Sequence, residues 1–199
     1  SMFEGCIALK SIKWPFKGAK KLEILTNLFA GCKALTGIDL GNFECRQCKM
    51  LGGMFKGCES IKVVDLSALK PLGVLSIESL FEGCTNLQIA SLAGFILAEG
   101  CKVNNAFNNC KGLTKIDLSG VTIPPSINLN EMFKGEDLTG VKIDLSNANV
   151  SEDFEKFVEQ HGGNITESSN SIEKSGEPGN GASGKPNEGA SGKPNEGAS

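Results

Sequence analysis

The sequence predicts an α/β repeat solenoid, with short parallel strands on one face and short helices on the other. Three observations predict it. A phenylalanine recurs every 26 residues, at Phe3, Phe29, Phe55, Phe81, Phe107 and Phe133. A cysteine follows three residues later at Cys6, Cys32, Cys58, Cys84 and Cys110, with Glu136 in the sixth copy. Further apolar columns keep the same register, among them Leu9, Leu35, Ile61, Leu87 and Leu113, then Trp14, Leu40, Leu66, Leu92 and Leu118. Columns in register at one fixed period mark a repeat architecture.

Two periodicities alternate within a copy. Leu51, Met54, Phe55 and Cys58 share the spacing of one helix face. Val64-Asp65-Leu66 alternates apolar, acidic and apolar, as a short strand does. Ile38-Asp39-Leu40, Ile116-Asp117-Leu118 and Ile143-Asp144-Leu145 repeat it. Each copy therefore reads as a strand, an irregular stretch with Gly or Pro, and a helix or helical turn. One copy buries too little apolar surface to offset its own ordering entropy. Stacking lets each copy cover both flanks and pair its strand with its neighbours.

The predicted solenoid occupies residues 1–147, as about six copies. The sixth is irregular, with Leu138 and Leu145 displaced by one position in opposite directions. A capping helix is expected within 148–162: Ser151 opens Glu152-Asp153-Phe154, and Gly162-Gly163 closes it. No equivalent cap precedes Phe3, so a raw N-terminal end is expected. Residues 163–199 read as a disordered tail ending in three Gly/Pro/Ser-containing octads, with nothing to bury.

Phe55-Lys56-Gly57-Cys58 with Asp65-Leu66-Ser67, and Phe107-Asn108-Asn109-Cys110 with Ile116-Asp117-Leu118-Ser119, carry a family resemblance. Over about residues 2 to 147 the chain resembles the BspA-like leucine-rich-repeat surface proteins with their 26-residue repeat. The resemblance implies a right-handed leucine-rich-repeat coil, export, and adhesion to host or neighbouring cells. It brings no catalytic residue. The threonine-rich stretch frequent in that family is replaced here by segments such as Pro71-Leu72-Gly73 and Cys45-Arg46-Gln47-Cys48.

Phe29, Cys32, Phe55, Cys58, Phe81, Cys84, Phe107 and Cys110 are expected to form the repeat core, with the cysteines as small buried thiols. Neighbouring helices lie about 8–10 Å apart, whereas a disulfide needs Cα atoms within about 7 Å. Cys101 is expected in the core as well. Cys45 and Cys48 lie off the column. Two ordinary thiols are the default reading, with a local disulfide or a reactive dithiol as alternatives. A pair alone is half a zinc site, so no metal and no cofactor are expected. His161 follows the predicted helix and should meet its terminal carbonyls.

The outward strand position reads Lys13, Asp39, Asp65, Ser91, Asp117 and Asp144. Carboxylates stacked on strands about 4.8 Å apart repel by about 0.9 kcal/mol even in water. A solvated face diluted by Ser91 and Lys115 accounts for the row. A docking surface for a basic partner or for a cation such as calcium accounts for it too, and Asp39, Asp65, Ser91, Asp117 and Asp144 are the candidate binding residues.

The net charge of −3 gives no reason to expect a nucleic-acid partner. No apolar run is long enough to span a membrane. With one histidine and no phosphate-cradling motif, the chain reads as a non-enzymatic binding module for a protein or glycan, acting as a monomer. Cell-surface or secreted adhesion is the favoured setting, with an intracellular scaffold as the alternative. No signal peptide is visible; the chain opens inside a repeat, so a leader is expected upstream.

Overall fold

A computed structural model describes residues 2–14, 21–41 and 43–167. The repeat predicted from the sequence is the repeat that folds. Strands β1 (Ser11–Lys13), β2 (Gly37–Asp39), β3 (Val63–Asp65), β5 (Ile89–Ser91), β7 (Lys115–Asp117) and β8 (Lys142–Asp144) take equivalent places in successive copies. All their pairings are parallel, with each residue opposite its counterpart one repeat away: Val64 faces Ala90, Ala90 faces Ile116, and Ile116 faces Ile143. These middle residues point inward and are buried.

The interior is a column of aromatic rings. Phe3, Phe29, Phe55, Phe81, Phe107 and Phe133 stack with centroids 5.1 to 5.7 Å apart. Beside them run Leu35, Ile61 and Leu87, all fully buried. The first copy is more open: Met2 and Ile7 are exposed and Phe3 is only half-buried.

Four features differ from the sequence expectation. Around Phe29, Phe55, Phe81 and Phe107 the Phe-bearing segments are runs of turns and not α-helices, while in the sixth copy Leu129–Phe133 is a short 3-10 helix. Leu28, Ala30 and Cys32 donate backbone N–H bonds three residues back, while Asn27, Phe29 and Gly31 donate to Gly52, Met54 and Lys56 of the next copy. A helix would hold all these donors internally. Here alternate amides lace the copies together. The segment cannot wind on as a helix, because Gly57 sits at φ 70 and Asn109, in the equivalent place of the fifth copy, at φ 58, a left-handed region costly for most residues.

The stretch expected to be irregular contains a second parallel pair. β4 (Leu72–Ser76) runs beside β6 (Ile96–Lys102), with Leu72 opposite Ile96. Isolated bridges from Ile24 to Met50 to Ser76, and from Ile96 to Thr122 to Asn149, extend this side of the coil. Neighbouring copies thereby satisfy backbone groups that a loop would leave to water.

The main sheet is not continuous. β3, β5, β7 and β8 form one sheet, and β1 and β2 form another. At the junction between β2 and β3 the copies are joined on their other sides, through Cys45 N to Leu69 O at 2.7 Å, Leu72 N to Arg46 O at 2.9 Å and Gly31 N to Lys56 O at 2.7 Å.

At the C-terminal end, α1 (Glu152–Gln160) lies over the last copy. Ser151 Oγ accepts the Phe154 N–H at 3.3 Å, and the Phe154 ring continues the stack 6.2 Å from Phe133. His161 Nδ1 lies 2.8 Å from the Phe157 carbonyl, as its position after the helix predicts. Residues 164–167, expected to belong to the tail, are instead a strand. β9 (Asn164–Glu167) joins β8 and places Ile165 opposite Ile143, where it prolongs the inward row. The remainder of the expected tail, residues 168–199, lies outside the described residues.

Candidate binding face and the cysteine columns

Asp39, Asp65, Ser91, Asp117 and Asp144 end their strands at the equivalent position. Asp65 faces Ser91, Ser91 faces Asp117, and Asp117 faces Asp144, while Asp39 faces Lys13 across the separate first pair. Asp39 and Asp65 are exposed, Asp117 and Asp144 are half-buried, and Ser91 is only 7% exposed.

Each of these side chains also closes a turn in its own copy. Asp39 Oδ1 accepts from the Gly41 N–H at 2.8 Å and Asp65 Oδ1 from Ser67 N–H at 2.9 Å. Asp117 Oδ1 accepts the Ser119 N–H and hydroxyl at 2.9 and 2.7 Å, and Asp144 Oδ1 does the same with Ser146 at 3.0 and 2.7 Å. Ser91 Oγ accepts from Ala93 N–H at 3.3 Å and donates to Asp117 Oδ2 at 3.0 Å. These bonds from Ser146 hold the Asp144 carboxyl below the usual carboxylate range, with Lys115 adding a smaller electrostatic pull.

The row is thus an array of four Asx turns with a serine-closed turn at Ser91, a role the sequence reading overlooked. A signal was present: Asp with Ser or Gly two positions on is the turn's own signature. The role gives the residues a reason to recur without a ligand. It occupies one oxygen of each carboxylate, and in Asp117 the second oxygen accepts from Ser91 as well.

Across the strands, two residues before the acidic row, stands a second outward lane. It reads Val63, Ile89, Lys115, Lys142 and Asn164, in register from β3 to β9. Val63 is 49% exposed and Ile89 38%.

The recurrent cysteines are packing residues whose thiols share one recurring polar contact. Cys32, Cys58, Cys84 and Cys110 are free and buried. Their thiols donate to the carbonyls of Phe3, Phe29, Phe55 and Phe81, each 29 residues earlier, at 3.0 to 3.1 Å. Burial pushes the Cys110 thiol up to about 12 and pushes Cys58 and Cys84 up as well. Cys101 is also buried, and its thiol is pushed up to about 11 for the same reason. Cys6 starts the column and is exposed.

Cys45 and Cys48 correct the default reading: they form a disulfide, with Cα atoms 5.3 Å apart and both residues fully buried. The chain turns back on itself between them, bringing the Cα atoms within bridging range. Their burial removes the exposure that a reactive dithiol needs.

The thiol pattern makes a sharp expectation. Iodoacetamide added to the native protein near pH 8 should alkylate one of the six free cysteines, Cys6. Peptide mass spectrometry reads the result. Rapid labelling of Cys58 or Cys84 in the native state would contradict the burial described above.

Among the described residues no cluster of three or more His, Cys, Asp or Glu side chains could hold a metal ion. No described helix is long and apolar enough to cross a membrane. A family model for the BspA type leucine rich repeat region matches the chain in six copies, over residues 1–119 and 52–160. Comparison with curated proteins and with solved structures finds no match.

Proposed function

The chain belongs to the family of BspA type leucine-rich repeats, and on that footing we propose that it is a non-enzymatic recognition module of a cell surface or secreted protein, adhering to a protein or glycan. Repeats of this type are interaction modules. The observation that carries the reading is the outward face of the strands, where charged and apolar side chains stand in register across successive copies. Such extended surfaces are what solenoids offer to partners. The buried Cys45–Cys48 disulfide favours export over the intracellular scaffold, because disulfides persist in oxidising compartments and are rare in the cytosol.

The test is a binding screen of the purified protein against arrayed extracellular proteins and glycans, with an Asp39→Asn, Asp65→Asn, Asp117→Asn variant beside it. Asparagine keeps the side-chain oxygen that closes the turn, so the fold is retained while the charge goes. A partner that uses the row should bind the variant about tenfold more weakly, a typical summed effect of three exposed charges. Equal binding by both proteins removes the acidic row from recognition.

A further inference from the structure

The two outward lanes of the strand face differ in chemistry, and the difference defines what can sit on them. One lane is acidic, at Asp65, Asp117 and Asp144, with Ser91 sunk between them. The other opens with Val63 and Ile89 side by side on β3 and β5 and continues into Lys115 and Lys142 on β7 and β8. Val63 and Ile89 are directly opposed and well exposed. They form an apolar spot bounded by cations along the solenoid axis and by carboxylates along the strands.

Strands about 4.8 Å apart put the middle of the apolar pair about 10 Å from the middle of the lysine pair. Two residues along a strand put the acidic lane about 7 Å to the side.

We infer that the partner of this face is a polypeptide segment, which seats an apolar side chain on Val63 and Ile89, an acidic group on Lys115 and Lys142, and cationic groups on the acidic lane. This rests on the reading of the strand face as the recognition surface. A bare glycan satisfies the charged and polar rows but supplies no aliphatic or aromatic anchor for the apolar pair. A purely cationic partner satisfies the acidic lane and is repelled by the lysines. A peptide carries all three groups within a short span: 10 Å is about three residues of extended chain. The charge arrangement also fixes direction, since a reversed segment would set its acidic group beyond Val63, away from both lysines.

A phage library of random 12-residue peptides, panned on the protein, tests this. The expected winners carry an aliphatic or aromatic residue, an acidic residue about three positions away and at least one Lys or Arg. Synthetic copies should bind the Val63→Ser, Ile89→Ser variant about tenfold more weakly. They should also weaken on the Asp39/Asp65/Asp117 variant and in high salt. A Leu72→Ser, Ile96→Ser variant, altered on the exposed side of the second sheet, should bind them as the wild type does. Circular dichroism of each variant confirms the fold.

Peptides that weaken on the aspartate variant but not on the Val63/Ile89 variant overturn the apolar anchor and leave the strand face as a binding surface. Peptides that lose affinity only on the Leu72/Ile96 variant, or that bind all variants equally, overturn the inference together with the face. Failure of the library to enrich any sequence also overturns it.

Discussion

Replacing Phe81 with alanine is expected to destabilise the protein by about 3–5 kcal/mol. Phe81 is fully buried, and its ring stacks 5.7 Å from Phe55 and 5.3 Å from Phe107. Its backbone is held on both sides of the gap that truncation would leave. The Phe81 N–H donates to Ala106 O at 2.8 Å, and its carbonyl accepts the Cys110 thiol at 3.1 Å. The neighbouring Phe55 and Phe107 amides are tied to Leu80 O and Met132 O of the following copies, so the cavity cannot collapse, which places the cost toward the upper part of the range. Each copy leans on its neighbours, so a fault in the middle separates two short arrays. Phe3→Ala is the contrast: that ring is half-buried and, among the described residues, stacks on Phe29 alone. Urea unfolding of both variants decides the matter. Equal losses at the two positions would refute the stacked column as the source of stability.

The second large effect is loss of the fold in mild alkali. Buried Cys58, Cys84, Cys101 and Cys110 keep their protons beyond the pH at which a solvated thiol ionises, because burial disfavours the thiolate. In the unfolded chain the same thiols ionise near pH 8.5–9. Above that pH the folded state therefore holds more protons than the unfolded one, and stability falls as pH rises. Each thiol contributes a slope of about 1.4 kcal/mol per pH unit until its folded value is reached, about 11 for Cys101 and about 12 for Cys110. The Cys32 thiol, raised by burial as well, acts in the same direction, so the slopes of the column add. Thermal melts between pH 8 and pH 10.5 should show a steep fall, and Cys84→Ala should flatten the slope by one thiol's share. Comparing the two proteins isolates the contribution of that one thiol. A slope unchanged by the substitution would show that the thiols do not govern it.

Much of this architecture was legible in the residues. The Phe and Cys columns fixed the period, and the buried ring stack follows from them. The spacing of Leu51, Met54, Phe55 and Cys58 identified the inward positions correctly and the local geometry incorrectly. A run of turns brings the same residues inward as a helix, and spacing alone does not separate the two. The difference lies in where alternate amides send their hydrogen bonds, which depends on the next copy. β9 escaped notice for a related reason: Asn164-Ile165-Thr166-Glu167 is a strand only because β8 offers Ile143 beside it. The Cys45–Cys48 bridge needed a Cα separation, which no sequence spacing supplies. In the candidate face the acidic positions were legible and their turn-closing bonds were not, because charge along the row drew attention away from the Ser or Gly two residues on. The apolar lane was hidden by averaging. Val63 and Ile89 look like ordinary strand residues until the register places them together on the outer side.

The interruption between β2 and β3 also has a mechanical meaning. Flexing the coil at a later junction means rupturing the strand-to-strand bonds of the main sheet, such as Leu66 N to Ser91 O at 3.0 Å. At the β2–β3 junction the two remaining walls act as the knuckles of a hinge, and the front wall opens without that rupture. A ligand gripping Asp39 and Asp65 at once would brace the joint, so its affinity would register how far the joint had to move.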